Sequence, residues 1–224
     1  MGRFYLEEEM SVHVLVVNWK YDVEWCNDLK YPHTIVSKNP LRPGLFPNIG
    51  YEHSSYLKWI IDNYYCLPDV CVFCHGHNDF HATAMTLLMD ENYSNLEYIN
   101  NLVFNLDYFN YNPMEIANAK KTIYMNPDYI GSFEGEYRSL MEETLGFEID
   151  YGNVSCKKYA QFYVKKGLIL QYSHQFWKDL YQRLVDFGRG HDETVNLKLA
   201  IVFEHSWHII FTRCLNESNY VFEP

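Results

Sequence analysis

The chain lacks long apolar segments and is poor in basic residues. No stretch approaches the roughly 20 consecutive apolar residues of a membrane-spanning helix. The 18 lysines and arginines are outnumbered by 29 aspartates and glutamates, which gives a formal net charge of −11 at pH 7. Nucleic acids and anionic membranes attract basic surfaces, so this balance argues against both as partners. A phosphate-bearing ligand would need a local cation or a metal ion to offset the repulsion.

Regular cysteine spacing is missing as well, and no signal peptide is expected at the start of the given sequence. The six cysteines are scattered, which is typical of reduced thiols and favours a cytoplasmic location. The start "MGRFYLEEEM" has neither the basic nor the apolar region of a signal peptide. The CxxC pattern of Cys71 and Cys74 lies in a segment predicted to be a strand, which would place the two sulfurs on opposite faces. We interpret both as buried strand cysteines rather than zinc or redox ligands.

The remaining composition is that of a globular protein, with 48% apolar and 21% charged residues. A length of 224 residues predicts one domain. In the first third, the predicted elements are strands 11–19, 33–38 and 70–75 and helices 22–29 and 51–65. Strands that alternate with helices predict a parallel sheet. Ligands of such sheets bind beyond the carboxyl ends of the strands, so a site is expected at "HGHND" (75–79).

The rest of the chain is less regular. Residues 80–135 contain short helical candidates at 82–89 and 94–102, and an aromatic-polar loop is predicted at 107–113. Further on, the predicted elements are helices 135–146, 173–188 and 196–211 and strand 159–164. Ser173 is the predicted N-cap of its helix, and Gly188 is the predicted terminator.

The histidine-rich segment allows several interpretations. His75, His77 and Asp79 occupy alternate positions, so on an extended chain they share a face and can converge on one cation. H-x-H-x-D also opens the zinc motif of metallo-β-lactamases, although Phe80 here separates Asp79 from the next histidine. A zinc hydrolase is therefore one alternative. The other is that the imidazoles only form hydrogen bonds with neighbouring loops.

Four segments resemble one known family in order and spacing. They are "VVNWKYDVEW" (16–25), "FPNIGYEHSSYLKWIIDNYYCLPDVCVFCHGH" (46–77), "CKKYAQFYVKK" (156–166) and "FEHSWHIIF" (203–211). They resemble the family labelled domain of unknown function 3431, over residues 12 to about 211. The N-x-G-x-E, LPD and H-x-H block is the most specific part. The resemblance is weakest between residues 82 and 150.

That family is similar in layout to GT-A glycosyltransferases. The resemblance implies a single α/β domain with a mostly parallel sheet flanked by helices. Its Rossmann-like first half (about 11–80) would bind a nucleotide sugar, and its second half (about 81–213) would bind the acceptor. The implied reaction is sugar transfer from a nucleotide-diphosphate sugar to a hydroxyl of a glycan or small-molecule acceptor. A catalytically inactive sugar- or nucleotide-binding protein of the same fold is an alternative.

The resemblance also implies the metal position. His75-Gly76-His77-Asn78-Asp79 stands where GT-A enzymes carry Asp-x-Asp, which holds a divalent metal on the donor diphosphate. His75, His77 and Asp79 are therefore the expected ligands of Mn²⁺ or Mg²⁺, and no organic cofactor is expected. Imidazole suits softer metals than carboxylate does, so metal dependence is left open at this position.

The implied donor-binding residues come from several segments. The residues expected to border the base and ribose are Asn18, Trp19 and Asp22. Phosphate charge would be offset by Lys38 and Arg42, and the loop facing the donor would be shaped by Asn48, Gly50 and Glu52. A sugar hydroxyl would be bound by Gln161. Asp22 and Asn48 are equally explained as helix caps or turn formers. The structural alternatives are a first-turn partner of the helix dipole for Glu52 and the solvent side of its strand for Gln161.

The predicted general base lies in the last helix. Glu204 and His208 are one turn apart there and share a face. An acidic residue in so apolar a helix is costly unless it is paired or used. We predict Glu204 as the base, with Asp79 and His208 as the next candidates. A buried Glu–His pair without a catalytic role is the alternative.

Overall fold

The computed structural model describes residues 10–38, 48–78, 94–111, 117–118, 141–146, 148, 155–156, 160–189, 193–204 and 206–213. In these residues the strands are β1 (Val12–Asn18), β2 (His33–Ser37), β3 (Val70–His75), β4 (Tyr108–Asn110), β5 (Ala117–Asn118), β6 (Ser155–Cys156) and β7 (Phe162–Lys165). The helices are α1 (Glu52–Asn63), α2 (Asn95–Asn100), α3 (Lys166–Leu170), α4 (His174–Gly188), α5 (Glu193–Glu204) and α6 (Trp207–Thr212). A 3-10 helix spans Glu24–Asp28, and residues 141–145 are helical.

Five strands form one mixed sheet in the order β2-β1-β3-β7-β4. The strands β1, β2 and β3 are parallel, whereas β7 is antiparallel to both of its neighbours. The strands β5 and β6 form a separate two-stranded sheet. The predicted α/β fold with a mostly parallel sheet flanked by helices is thereby confirmed.

The central strand β3 is covered on both faces. Val70, Cys71, Val72, Phe73 and Cys74 are all fully buried, because β3 pairs with β1 on one edge and β7 on the other while helices cover its faces. Phe73 and Cys71 belong to the core beneath α1, α4 and the last two helices, and Cys74 belongs to the core on the opposite face. The two cysteines therefore lie on opposite faces, as predicted.

Local sequence signals explain the helix boundaries. The hydroxyl of Ser173 accepts a hydrogen bond from the amide of Phe176 at 3.1 Å, which confirms the predicted N-cap of α4. Trp177, Leu180 and Leu184 form the fully buried stripe of that helix. No helix in the part of the chain described above has the length and apolar character needed to cross a membrane.

Three predicted elements differ in the structure. The predicted helix 196–211 is divided into α5 and α6, because the amide of Ser206 bonds to the carbonyl of Phe203 at 3.0 Å and closes the turn early. The predicted loop 107–113 contains β4, which becomes a strand by pairing with β7. The predicted helix 22–29 is present as the shorter 3-10 helix. The helical candidate at 82–89 lies outside the described residues.

Gly188 provides a test of the packing at the end of α4. The sequence suggested a helix terminator, but the structure gives a steric reason for the glycine. An added Cβ would collide with Cγ2 of Ile49 and lie 3.0 Å from Oδ1 of Asn196. We expect Gly188→Ala to lower the free energy of unfolding by roughly 1–3 kcal/mol, the usual cost of overpacking.

Gly167 in α3 is the matched control. An added Cβ there would meet nothing within 4 Å. Gly167→Ala should be neutral or stabilise by up to about 1 kcal/mol, since alanine favours helix. Urea unfolding of both variants measures the difference. Equal stability of the two variants would contradict the packing described here.

Candidate functional site

The carboxyl ends of the parallel strands meet at one edge of the sheet. Val17 of β1 is in register with His75 of β3, and Asn18 is in register with Ser37 of β2. A cleft of about 270 Å³ opens beyond these strand ends. Its walls include the following residues predicted from the sequence: Trp19, Lys38, Asn48, Glu52, His75, His77, Gln161 and Glu204. These eight side chains come from strands, loops and helices across the chain.

Other predicted site residues have structural roles or lie elsewhere. The Asn18 amide group bonds to the backbone of Tyr21 in both directions, at 2.9 Å each, and the Asp22 carboxylate accepts a bond from the amide of Glu24. Gly50 does not line the cleft; it has a φ of 58° in the turn before α1. His208 is 1% exposed and also does not line the cleft. Arg42 and Asp79 lie outside the described residues.

The division of the last helix separates the two residues predicted to share a face. Glu204 is the final residue of α5 and lines the cleft. His208 lies in α6 and is buried. The predicted pairing of Glu204 with His208 on one face stays a prediction.

Glu52 is the centre of a hydrogen-bonded chain in this cleft. It is the first residue of α1, and its side chain is 13% exposed. Its Oε1 lies 3.2 Å from Nε2 of His75, and Nδ1 of His75 lies 3.2 Å from Nε2 of His77. The backbone amide of His75 also donates to Oε1 of Gln161 at 3.3 Å. Both ring nitrogens of His75 are therefore engaged by protein groups.

A second histidine beside Glu52 was not predicted from the sequence. His53 is fully buried, and its Nδ1 accepts a hydrogen bond from Nε1 of Trp207 at 2.9 Å. An indole only donates, so the proton of a neutral His53 must be on Nε2. That Nε2 lies 3.6 Å from Oε1 of Glu52. The sequence offered one signal for His53, namely a histidine next to a glutamate on an otherwise apolar helix face. Its hydrogen-bond partner Trp207 lies 154 residues away in the chain, so the sequence does not reveal the contact.

The electrostatics of the cluster follow from burial and mutual attraction. Burial alone would raise the pKa of the Glu52 carboxyl, but the adjacent His75 and His53 imidazoles and the hydrogen bond from His75 hold that pKa well below its usual range. Burial opposes protonation of His75, but the negative charge of Glu52 and its hydrogen bond raise the pKa of His75 above the usual value. Burial lowers the pKa of His53 to about 4. The directions of these shifts favour a charged Glu52–His75 pair, and a pKa of about 4 leaves His53 neutral at pH 7.

Lys38, directly after β2, also lines the cleft. Its Nζ donates to the carbonyl of Tyr51 and, at 2.7 Å, to the hydroxyl of Ser54. The residue is only 4% exposed, and burial lowers its pKa to about 7 despite the attraction of Glu52. Lys38 therefore stabilises the turn before α1, and its positive charge is lost as the pH rises through about 7.

The glycine between the two cleft histidines is required by close packing. The amide of Gly76 donates to the carbonyl of Val17 at 2.9 Å, and its carbonyl accepts from Nε1 of Trp25 at 3.0 Å. An added Cβ would lie 2.8 Å from Cα of Asn18. The backbone between His75 and His77 is thus fixed against β1, which fixes the positions of both imidazoles.

One family model matches almost the whole chain. Residues 15–221 match the model of the family described as "Protein of unknown function (DUF3431)". The chain belongs to this family. Searches of curated proteins and of solved structures found no significant match. In this DUF3431 protein, the N-x-G-x-E and H-x-H segments quoted above meet at one cleft, with Glu52 bonded to His75.

The GT-A layout implies a divalent metal held by His75, His77 and Asp79, of which Asp79 lies outside the described residues. In this DUF3431 chain, His75 has no ring nitrogen left for a metal, since both form hydrogen bonds. Ligand atoms of Glu52, His53 and Glu204 do lie within 4.8 Å of one another. However, Trp207 places the His53 proton on Nε2, the nitrogen that faces the carboxylate. With these hydrogen bonds, neither His75 nor His53 offers a ring nitrogen to a metal.

The low pKa of Lys38 predicts a measurable pH dependence of stability. An unfolded lysine keeps its proton up to a pKa of about 10.4. Between about pH 7 and pH 10 the unfolded chain therefore binds more protons at this position than the folded protein does, so its contribution to stability rises with pH. We expect the free energy of unfolding of the wild type, relative to that of Lys38→Met, to increase with pH over this range. The increase should be at most about 1.4 kcal/mol per pH unit.

The control for this experiment is Lys58→Met. Lys58 is a partly exposed lysine on α1 that pairs with Asp62. Denaturant unfolding at several pH values compares the three proteins. A wild-type curve that runs parallel to that of Lys38→Met over this range would show that Lys38 is not a buried, proton-poor lysine.

Proposed function

We propose that this DUF3431 protein is a glycosyltransferase that transfers a sugar from a nucleotide-diphosphate sugar to an acceptor hydroxyl. The observation that carries the proposal is the convergence of Glu52, His75, His77 and Glu204 on one cleft at the carboxyl edge of the parallel strands. Ligands of α/β sheets bind at this edge. The cleft also combines groups of opposite charge, as acid–base chemistry requires.

The order of elements supports a GT-A-like fold in this proposal. The apolar strand β3 ends in the H-x-H segment, where the GT-A layout has its diphosphate-binding motif. The later unit of β7 followed by helices contributes Gln161 and Glu204 to the same cleft. Because β7 is antiparallel, its first residues rather than its last reach this edge.

Glu204 is the proposed general base. It lines the cleft at the end of α5, and one of its carboxylate oxygens lies within 4.8 Å of a Glu52 oxygen. The Glu52 carboxylate is already bonded to His75. Glu204 is the second carboxylate of the cleft, and we assign it to the acceptor hydroxyl, whose proton it would accept as the oxygen attacks the sugar.

The cleft volume limits what it would hold. About 270 Å³ is slightly below the roughly 300–1,000 Å³ of typical ligand pockets. The described walls therefore suit the sugar and its adjoining phosphate better than a whole nucleotide sugar. Trp19 offers an apolar ring at one wall, and Gln161 offers an amide that lies beside His75.

Donor binding is tested by melting the protein with UDP-, GDP- and CMP-sugars, with and without Mn²⁺. A donor at about 100 times its Kd stabilises by about 2.7 kcal/mol, which should raise Tm by roughly 5–10 °C. One class of nucleotide sugar should produce this shift and the others should not. No shift with any of them would count against the proposed donor class.

The role of Glu204 is tested with the donor that binds. Glu204→Gln keeps the shape but removes the proton acceptor, so turnover should fall by roughly 10²–10⁴. Donor affinity should change by only a few-fold. Glu97→Gln, an exposed glutamate on α2, is the control and should retain turnover. Donor binding without turnover in the wild type would indicate an inactive binding protein instead.

A further inference from the structure

Lys38 is a buried lysine in the cleft that has neutral hydrogen-bond partners. It is the only lysine or arginine among the described residues that line this cleft. Its Nζ donates to the carbonyl of Tyr51 and to the hydroxyl of Ser54. Within the described residues, no carboxylate forms an ion pair with it. A buried ammonium without a counter-ion is costly, so these surroundings favour the neutral amine.

Burial and charge have opposite effects on Lys38. The attraction of Glu52 on α1 favours the ammonium form, but burial outweighs it and lowers the pKa of Lys38 to about 7. The neighbouring His53 on α1 is neutral at pH 7, and Glu204 of α5 is the other described carboxylate that lines the cleft. At pH 7 about half of Lys38 is therefore neutral, whereas a lysine with a pKa near 10.4 is neutral in fewer than about one molecule in a thousand.

The hydrogen bonds leave one position of the neutral amine open. A neutral lysine nitrogen carries two N–H bonds and one lone pair besides its bond to carbon. The acceptors on Tyr51 and Ser54 take the two N–H bonds. The lone pair is then the remaining tetrahedral position, directed away from both acceptors. Because the Lys38 side chain lines the cleft, this arrangement suits a nucleophile that acts on a molecule bound there.

We propose that Lys38 is a nucleophile that forms an imine with a small hydroxyaldehyde bound in the cleft. Desolvated lysines perform this chemistry because an unprotonated amine is the form that attacks a carbonyl. The other walls suit this class of ligand. Gln161 and Glu204 offer polar groups to its hydroxyls, and Trp19 offers an apolar ring to its C–H groups. A cleft of about 270 Å³ is large enough for a chain of a few carbon atoms.

The proposed step conserves atoms and charge. The lone pair of Nζ attacks the carbonyl carbon, and the π electron pair of the C=O bond moves to the oxygen. The two N–H protons pass in turn to that oxygen, carried by the Glu204 carboxylate. The oxygen leaves as water when the nitrogen lone pair forms the C=N bond. The Ser54 hydroxyl both accepts and donates, so it can bond to the amine before the step and to the imine nitrogen after it.

Reductive trapping with glycolaldehyde and cyanoborohydride tests this proposal. The reductant converts an imine into a stable secondary amine, and peptide mass spectrometry identifies the modified lysine. At pH 7, Lys38 should be modified at least about tenfold faster than the partly exposed Lys58, because far more of it is neutral. Its lower basicity and its burial offset part of that advantage. Between pH 6 and pH 8 the rate at Lys38 should level off above about 7, whereas the rate at Lys58 should keep rising about tenfold per pH unit.

Urea and two variants separate the folded site from the intrinsic reactivity of the segment. In urea the two lysines should be modified at equal rates, because the cleft is lost. The fast phase should be absent in Lys38→Met and retained in Lys58→Met, with melting temperatures measured on the same samples. The peptide rates of the wild type decide the question even if Lys38→Met does not fold. Modification of Lys38 no faster than that of Lys58, or a preference that persists in urea, would overturn the proposal.

This activity goes beyond the proposed sugar transfer and does not rest on it. Rapid modification of Lys38 in a protein that no nucleotide sugar stabilises supports the imine and counts against the sugar transfer. Stabilisation by a nucleotide sugar together with slow modification of Lys38 in the ligand-free protein overturns the imine alone. Where both are observed, the bound donor should slow the modification of Lys38, because both ligands occupy the same cleft.

Discussion

A carboxylate withdrawn from water has to be neutralised, and at Glu52 this requirement organises the whole cleft. The side chain is 13% exposed, and the nearest compensating groups are His75 at 3.2 Å and His53 at 3.6 Å. The position of Glu52 at the start of α1 adds the favourable dipole of that helix. Satisfying one carboxylate therefore ties α1 to the end of β3 and, through His53 and Trp207, to α6.

The sheet makes this arrangement possible because it places residues from distant segments of the chain at one edge. The parallel strands bring Lys38 and His75 there by their carboxyl ends. The antiparallel β7 brings Gln161 by its amino end, and α5 closes the cleft with Glu204. In this poorly solvated space, burial lowers the pKa of Lys38, His53 and His75 alike. The attraction of Glu52 reverses the net shift only at His75, so small differences in contact decide which groups carry charge.

Elements that depend on local sequence signals were predicted correctly, whereas those that depend on contacts between distant parts of the chain were missed. β3 and the N-cap of α4 were predicted correctly because an apolar run and a serine before an amphipathic segment are local signals. β4 was predicted as a loop because its pairing with β7 lies far along the chain. The break after Glu204 was missed because the apolar pattern continues through Ser206, and a single early-closing hydrogen bond ends α5.

The sequence by itself determined the strands β1, β2, β3 and β7, where the parallel ones end, and that histidines and a lysine lie at those ends. Eight predicted residues consequently line the cleft. Only the tertiary structure decided that Glu52 is the partner of His75 and that His208 belongs to the core. It also decided the proton position on His53. The physical reason is that an imidazole takes its tautomer from its hydrogen-bond partners, and Trp207 lies 154 residues from His53 in the sequence.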